Sequence, residues 1–147
     1  MEILLAYIGI GILTCGTFVA SALGVTICGN AVVGSMKKNP EGLGTYIALS
    51  ALPSSQGLYG FVAFFLLQPF LTDSVTLLQA SAILCMGIMM SVSGIYSSVR
   101  QAQVCANGIT AVGAGHNVFA ATMVMAVFPE LYAILSLLVT ILVAGTL

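Results

Sequence analysis

Four stretches of this 147-residue chain, at about residues 3–36, 43–71, 75–112 and 118–145, are apolar and nearly free of charge. Each exceeds the roughly 20 residues that carry a helix across a hydrocarbon core. The chain has only seven charged side chains: Glu2, Lys37, Lys38, Glu41, Asp73, Arg100 and Glu130. With 60% hydrophobic and 5% charged residues and a mean hydropathy of +1.17, a soluble domain of this length would lack charged surface for water. The composition therefore specifies an integral membrane protein. The alternating pattern of membrane strands is absent, so the spans are read as helices, which satisfy the backbone internally in lipid. The expected fold class is an all-α membrane protein of four transmembrane helices.

The breaks between spans are chemically distinct. Lys37-Lys38-Asn39-Pro40 ends the first, because proline cannot continue a helix. Thr72-Asp73-Ser74 ends the second, and the run from Gly113 to Asn117, which contains His116, ends the third. The first span has no positive n-region and is too long for a signal peptide, so it reads as a mature helix. Lys37 and Lys38 are the only clustered basic residues in a loop, which puts that turn on the cytoplasmic side and both termini on the other. Cys15, Cys28, Cys85 and Cys105 lie within spans and form no Cys-x-x-Cys pattern, so they read as small packing residues.

An internal repeat organises the chain. Cys28-Gly29-Asn30-Ala31 returns 77 positions later as Cys105-Ala106-Asn107-Gly108, and Leu52-Pro53 returns 76 positions later as Phe128-Pro129. The expectation is two duplicated hairpins, residues 1–73 and 74–147. Gly16, Ala20, Gly24 and Cys28 make a small-residue stripe on the first helix, and Gly94, Ser98, Ala102 and Ala106 make its counterpart on the third. Such stripes let backbones approach closely, although they also occur in any packed membrane bundle. Their presence on alternate helices suits an inner layer of the first and third helices and an outer, lipid-facing layer of the second and fourth.

The two copies differ where chemistry is expected. Pro53 is followed by Ser54-Ser55-Gln56-Gly57-Leu58-Tyr59, whereas Pro129 is followed at once by Glu130. Between Gln101 and Leu147, Glu130 is the only charged residue. A bare carboxylate at that depth requires a proton, a cation or a basic partner. Leu52, Ser55, Gln56 and Tyr59 fall on one helical face at i, i+3, i+4 and i+7. Pro53 and Pro129 should free the carbonyls of Leu49 and Met125. Gln101 and Glu130 lie about equally far from the Gly113–Asn117 turn, so antiparallel packing would bring them together. Ser55, Gln56, Gln101 and Glu130 would then form an oxygen cage. A proton needs only the carboxylate and one partner, so the additional oxygens favour Na⁺.

Competing readings are blander. Gln56 and Gln101 could serve only as hydrogen-bonding glue between helices, and Tyr59 alone would read as packing. Arg100 adjoins Gln101 at mid-membrane depth and would compete with a cation if it faced Glu130. Neighbouring helical residues point about 100° apart. Arg100 is therefore expected to point away from Glu130, and an Arg100–Glu130 salt bridge would defeat the Na⁺ reading. Tyr96 and Tyr132 receive no role, and His116 is expected in solvent.

The stretch from Leu52 to Val62, LPSSQGLYGFV, together with Glu130-Leu131-Tyr132-Ala133-Ile134-Leu135, resembles the proteolipid subunit (K or c) of V-type and A-type rotary ATPases. The resemblance covers essentially the whole chain. It implies a homo-oligomeric ring of identical subunits turning in membrane lipid against a stator subunit that carries an arginine, and joined to central-stalk subunits on the cytoplasmic side. In the Na⁺-coupled branch it implies ligands at the Leu52 carbonyl, Ser55, Gln56, Gln101 and Glu130, with Tyr59 hydrogen-bonded to Glu130. Ser55 stands where those relatives have threonine, and Arg100 where a small residue is expected, so in such a ring Arg100 is expected to point towards the lumen or a neighbouring subunit. The cytoplasmic membrane of a prokaryote is the expected location, and no nucleic acid is expected as a partner. The chain has no phosphate-binding loop, so it is read as an ion carrier and not the ATP catalyst. The alternatives are a proton-specific ring of the same family, a four-helix proton-coupled drug antiporter and a purely structural pore or junction protein. The antiporter would need the acid without the Ser and Gln cage, and the structural protein would need no buried carboxylate.

Overall fold

The computed structural model describes all 147 residues and contains helices without strands. Its α-helices are α1 (Glu2–Met36), α2 (Leu43–Ala51), α3 (Ser55–Leu67), α4 (Leu77–Gly113) and α5 (Phe119–Ala144). α2 and α3 are joined by a 3₁₀ turn at Leu52–Ser54, and with the flanking turns Pro40–Gly42 and Gln68–Phe70 they make one span, Pro40–Phe70. The four spans are long and apolar enough to cross a membrane. At 1.5 Å per residue α1 and α4 are roughly 50–55 Å long, so they tilt or project beyond a bilayer core.

Local chemistry sets the helix ends. Thr76 and Gln79 form a reciprocal capping box, which starts α4 at Leu77. The Asn39 side chain accepts from the Glu41 N–H ahead of Pro40, and the buried Tyr46 hydroxyl donates to the Asn39 carbonyl. The α4–α5 turn passes through Gly115 at φ 92°, a left-handed conformation that a Cβ would strain. His116 is exposed there.

α1 and α4 pack along most of their length, α5 lies on α4 and α3, and α3 lies on α1. The close approach depends on glycine. A Cβ on Gly9 would stand 2.7 Å from the Leu84 Cα, and one on Gly87 would collide with the Gly9 carbonyl. Gly16, Ala20, Gly24 and Cys28 are buried, as are Gly94, Ser98 and Ala102. Ala106 is only half-buried, and Cys105 takes the inner place. Strict i, i+4 spacing drifts around a 3.6-residue helix, so the last member of that stripe rotates off the contact. The Ser98 hydroxyl bonds to the Ala20 carbonyl at 2.8 Å and the Pro53 carbonyl at 3.0 Å, tying α4 to α1 and to the 3₁₀ turn.

Two apolar clusters fill the interior. One holds Leu13, Leu67, Ile83 and Met90, and the other holds Cys28, Tyr46, Leu49, Cys105 and Ile109. Between them along the helices lies a layer of buried polar side chains, Gln56, Ser97, Ser98 and Gln101. The outer faces of α3 and α5 expose Leu58, Phe61, Phe65, Leu131, Leu135 and Leu142, a surface suited to lipid and not to water.

Candidate functional site

The polar layer converges on Glu130. Pro129 sits inside a continuous α5 and leaves the following carboxylate on the side facing α3 and α4. The Tyr59 hydroxyl donates to Glu130 Oε1 at 2.7 Å, and the Gln101 amide donates to Glu130 Oε2 at 2.9 Å. The same Gln101 nitrogen donates to the Ala126 carbonyl at 3.0 Å. Gln56 Nε2 donates to Gln101 Oε1 and to Ser97 Oγ, both at 3.0 Å. Three spans thus meet: α3 supplies Gln56 and Tyr59, α4 supplies Ser97 and Gln101, and α5 supplies Glu130.

Leu52 and Ser55 stand at the edge of this group. Ser55 Oγ donates to the Leu52 carbonyl at 3.0 Å, so their oxygens lie side by side on the face that carries Gln56 and Tyr59. The 3₁₀ turn at Pro53 keeps that face in helical phase while interrupting the regular ladder. Near the prolines, the carbonyls that take side-chain bonds from α4 are Ala126 and Pro53, not the expected Met125 and Leu49. The proline ring displaces the chain locally, and the donors Gln101 and Ser98 settle on the carbonyls nearest to them.

Gln56 Oε1 is the one buried side-chain oxygen without a hydrogen-bond partner. Gln56 is 1% exposed, so bulk solvent does not reach it. An unpaired buried acceptor costs about 1–3 kcal/mol, which marks a place where an additional positive group would be favourable. No set of three His, Cys, Asp or Glu residues converges anywhere in the chain. The donors at the site are amide, hydroxyl, carbonyl and carboxylate oxygens, which suit a hard cation of low charge.

Arg100 lies away from this group. It is exposed, and its Nη1 donates to Gln103 Oε1 at 3.1 Å. The single ion pair in the chain joins the Met1 amino group to Glu2. The neighbouring Gln101 is fully buried, in keeping with the 100° step between adjacent helical positions. Ser97 was not among the residues expected at the site. It stands four residues before Gln101 on the same face of α4, and that spacing was the available signal. Tyr96 and Tyr132 are exposed, and the four cysteines are free thiols, Cys28 and Cys105 being buried.

Comparison with known proteins agrees with this architecture. The family of the ATP synthase C subunit matches the chain twice, over residues 8–67 and 84–143. The A-type ATP synthase subunit K of Methanocaldococcus jannaschii is 33% identical over 141 residues, which are 95% of this chain and 61% of that protein. The chain therefore spans about three fifths of that relative's length. The V-type sodium ATPase subunit K of Enterococcus hirae is 31% identical over 124 residues, 84% of this chain and 80% of that protein. The chain belongs to the ATP synthase C-subunit family, as a duplicated member related to the K proteolipids of A-type and V-type ATPases.

Proposed function

We propose that this chain is the Na⁺-carrying subunit of a rotor ring in a V/A-type ATPase. The family supplies a non-catalytic, ion-translocating subunit, so ATP hydrolysis or synthesis belongs to a separate soluble sector. The two hairpins, residues 1–73 and 74–147, act as one unit with a single ion site, and identical copies complete the ring. The Lys37–Lys38 turn faces the cytoplasm and the central stalk, in the cytoplasmic membrane of a prokaryote.

The observation that carries the Na⁺ reading is Gln56 Oε1, a buried acceptor with no donor, one residue removed from a carboxylate. A proton on Glu130 would leave that oxygen unpaired, whereas a bound cation satisfies it. Glu130, Gln56, Gln101, Ser55 and the Leu52 carbonyl form the proposed ligand set, with Tyr59 holding the carboxylate in place. The terminal torsions of glutamine are soft. The Gln101 amide, which donates to the carboxylate, and the Gln56 amide, which donates to Gln101, can therefore turn their oxygens to a cation. The relationship to a V-type sodium ATPase subunit K favours the same ion.

Translocation follows from the energetics of charge in lipid. Glu130 with its ion is locally neutral and passes through hydrocarbon. Once emptied, it carries a charge that the bilayer penalises by a few kcal/mol or more. Exchange is therefore confined to the stator, where an arginine meets the bare carboxylate. The test is ATP-driven uptake of radioactive sodium by the purified complex in proteoliposomes. Uptake that persists with a protonophore and disappears in Glu130→Gln is expected. Proton pumping that is indifferent to Na⁺ would overturn the Na⁺ assignment.

A further inference from the structure

A cleft of about 380 Å³ opens between α4 and α5, lined by Ser93, Tyr96, Ser97, Arg100, Phe128, Pro129 and Tyr132. The internal repeat identifies this surface. Moved forward by 76 positions, Leu52, Pro53 and Gln56 become Phe128, Pro129 and Tyr132; moved forward by 77, Gly16 becomes Ser93. In the first hairpin the second covers this face: Gln56 bonds to Ser97 and Gln101, Pro53 accepts from Ser98, and Gly16 packs on Ser91. In the second hairpin the equivalent face is open.

The element that would cover it is also given by the repeat. Moved backward, the covering residues Glu130, Ala126 and Ser98 become Ser54, Ser50 and Ser21. Ser50 Oγ donates to the Ile47 carbonyl and Ser54 Oγ to the Ala51 carbonyl, so the hydrogen of each hydroxyl is engaged within its own helix. Their lone pairs remain available as acceptors. Arg100 has the opposite character, with five N–H donors and no acceptor. Its one bond goes to Gln103, and it lies at a depth where a lipid-facing guanidinium is costly.

We propose that the Arg100 cleft receives the first hairpin of a neighbouring copy in the register of the internal repeat. Arg100 then fastens the two copies by donating to the oxygens around Ser54, the position at which the first hairpin lacks the acid. This rests on the ring reading and adds to it a specific contact. The interface repeats between copies the packing of the two hairpins within one copy.

Cross-linking and ring stability test it together. Leu135 corresponds to Tyr59, whose partner Glu130 corresponds to Ser54. Oxidation of membranes carrying the double variant Leu135→Cys, Ser54→Cys should give a ladder of multimers, absent with either single variant in the same background. Purified Arg100→Ala rings should leave at least about threefold less intact ring than the parent after heating in detergent, with Arg100→Lys between the two. Na⁺ protection of Glu130 should be unchanged in surviving rings. A parent protein that purifies as a monomer would defeat the ring reading itself. An intact ring with no ladder and no loss in Arg100→Ala would overturn only this contact. So would release of bound phospholipid from Arg100→Ala rings without loss of stability, because lipid would then fill the cleft.

Discussion

The two hairpins share a proline at corresponding positions and use it differently. In the first, Pro53 sits in a 3₁₀ turn that divides the span into α2 and α3, and the next residue, Ser54, is exposed. In the second, Pro129 lies within an uninterrupted α5, and the next residue, Glu130, is held by Tyr59 and Gln101. The partners differ as well, since Gln101 on α4 corresponds to Gly24 on α1. Duplication thus left one packing scheme and two chemistries. Tyr59 of the first hairpin bonds to the acid of the second and Gln56 to its partner Gln101, so the site depends on both halves although the charge resides in one.

That contrast can be broken. Glu130→Gln leaves both hairpins without a carboxylate after the shared proline and should lower ion transport at least about 100-fold, a loss of more than about 2.7 kcal/mol, measured in proteoliposomes. Adding Ser54→Glu to Glu130→Gln should not restore Na⁺ binding, because position 24 offers no amide; sodium binding to the purified ring checks this. Gln101→Leu strips a donor from Glu130 and a partner from Gln56. The expected cost of about 1–3 kcal/mol should appear as roughly 5- to 150-fold weaker Na⁺ binding. Tyr59→Phe removes one bond to the carboxylate and should weaken Na⁺ retention roughly three- to tenfold. Ser55→Thr keeps the hydroxyl and stiffens its first torsion, so binding should tighten by at most about threefold.

The spans were legible because lipid allows so few solutions. Charge gaps located four spans to within about three residues, and glycine, proline and lysine marked the turns. Gln101 and Glu130 could be paired by counting depth from the Gly113–Asn117 turn, because antiparallel neighbours share a depth. Tyr59 could be placed on the site face by its seven-residue separation from Leu52. Finer features depended on packing that a pattern does not encode. Ser97 reads as one more small residue until Gln56 is seen to reach it. Ala106 yields its inner position to Cys105 because the helix phase drifts over several turns. Whether Arg100 pointed into the site or away from it was a question of rotation about α4, and the burial of Gln101 answers it.

The central claim is that Glu130 is neutralised by Na⁺ held among the oxygens of both hairpins. A carbodiimide modifies a carboxyl in its protonated form, so Na⁺ and the reagent compete for the same group. The decisive measurement is the rate of labelling of Glu130 in purified rings at constant pH as Na⁺ is raised. Labelling should fall as Na⁺ is raised, and this protection should be weaker in Gln101→Leu. Labelling that follows acidity alone, with no protection at high Na⁺, would contradict it.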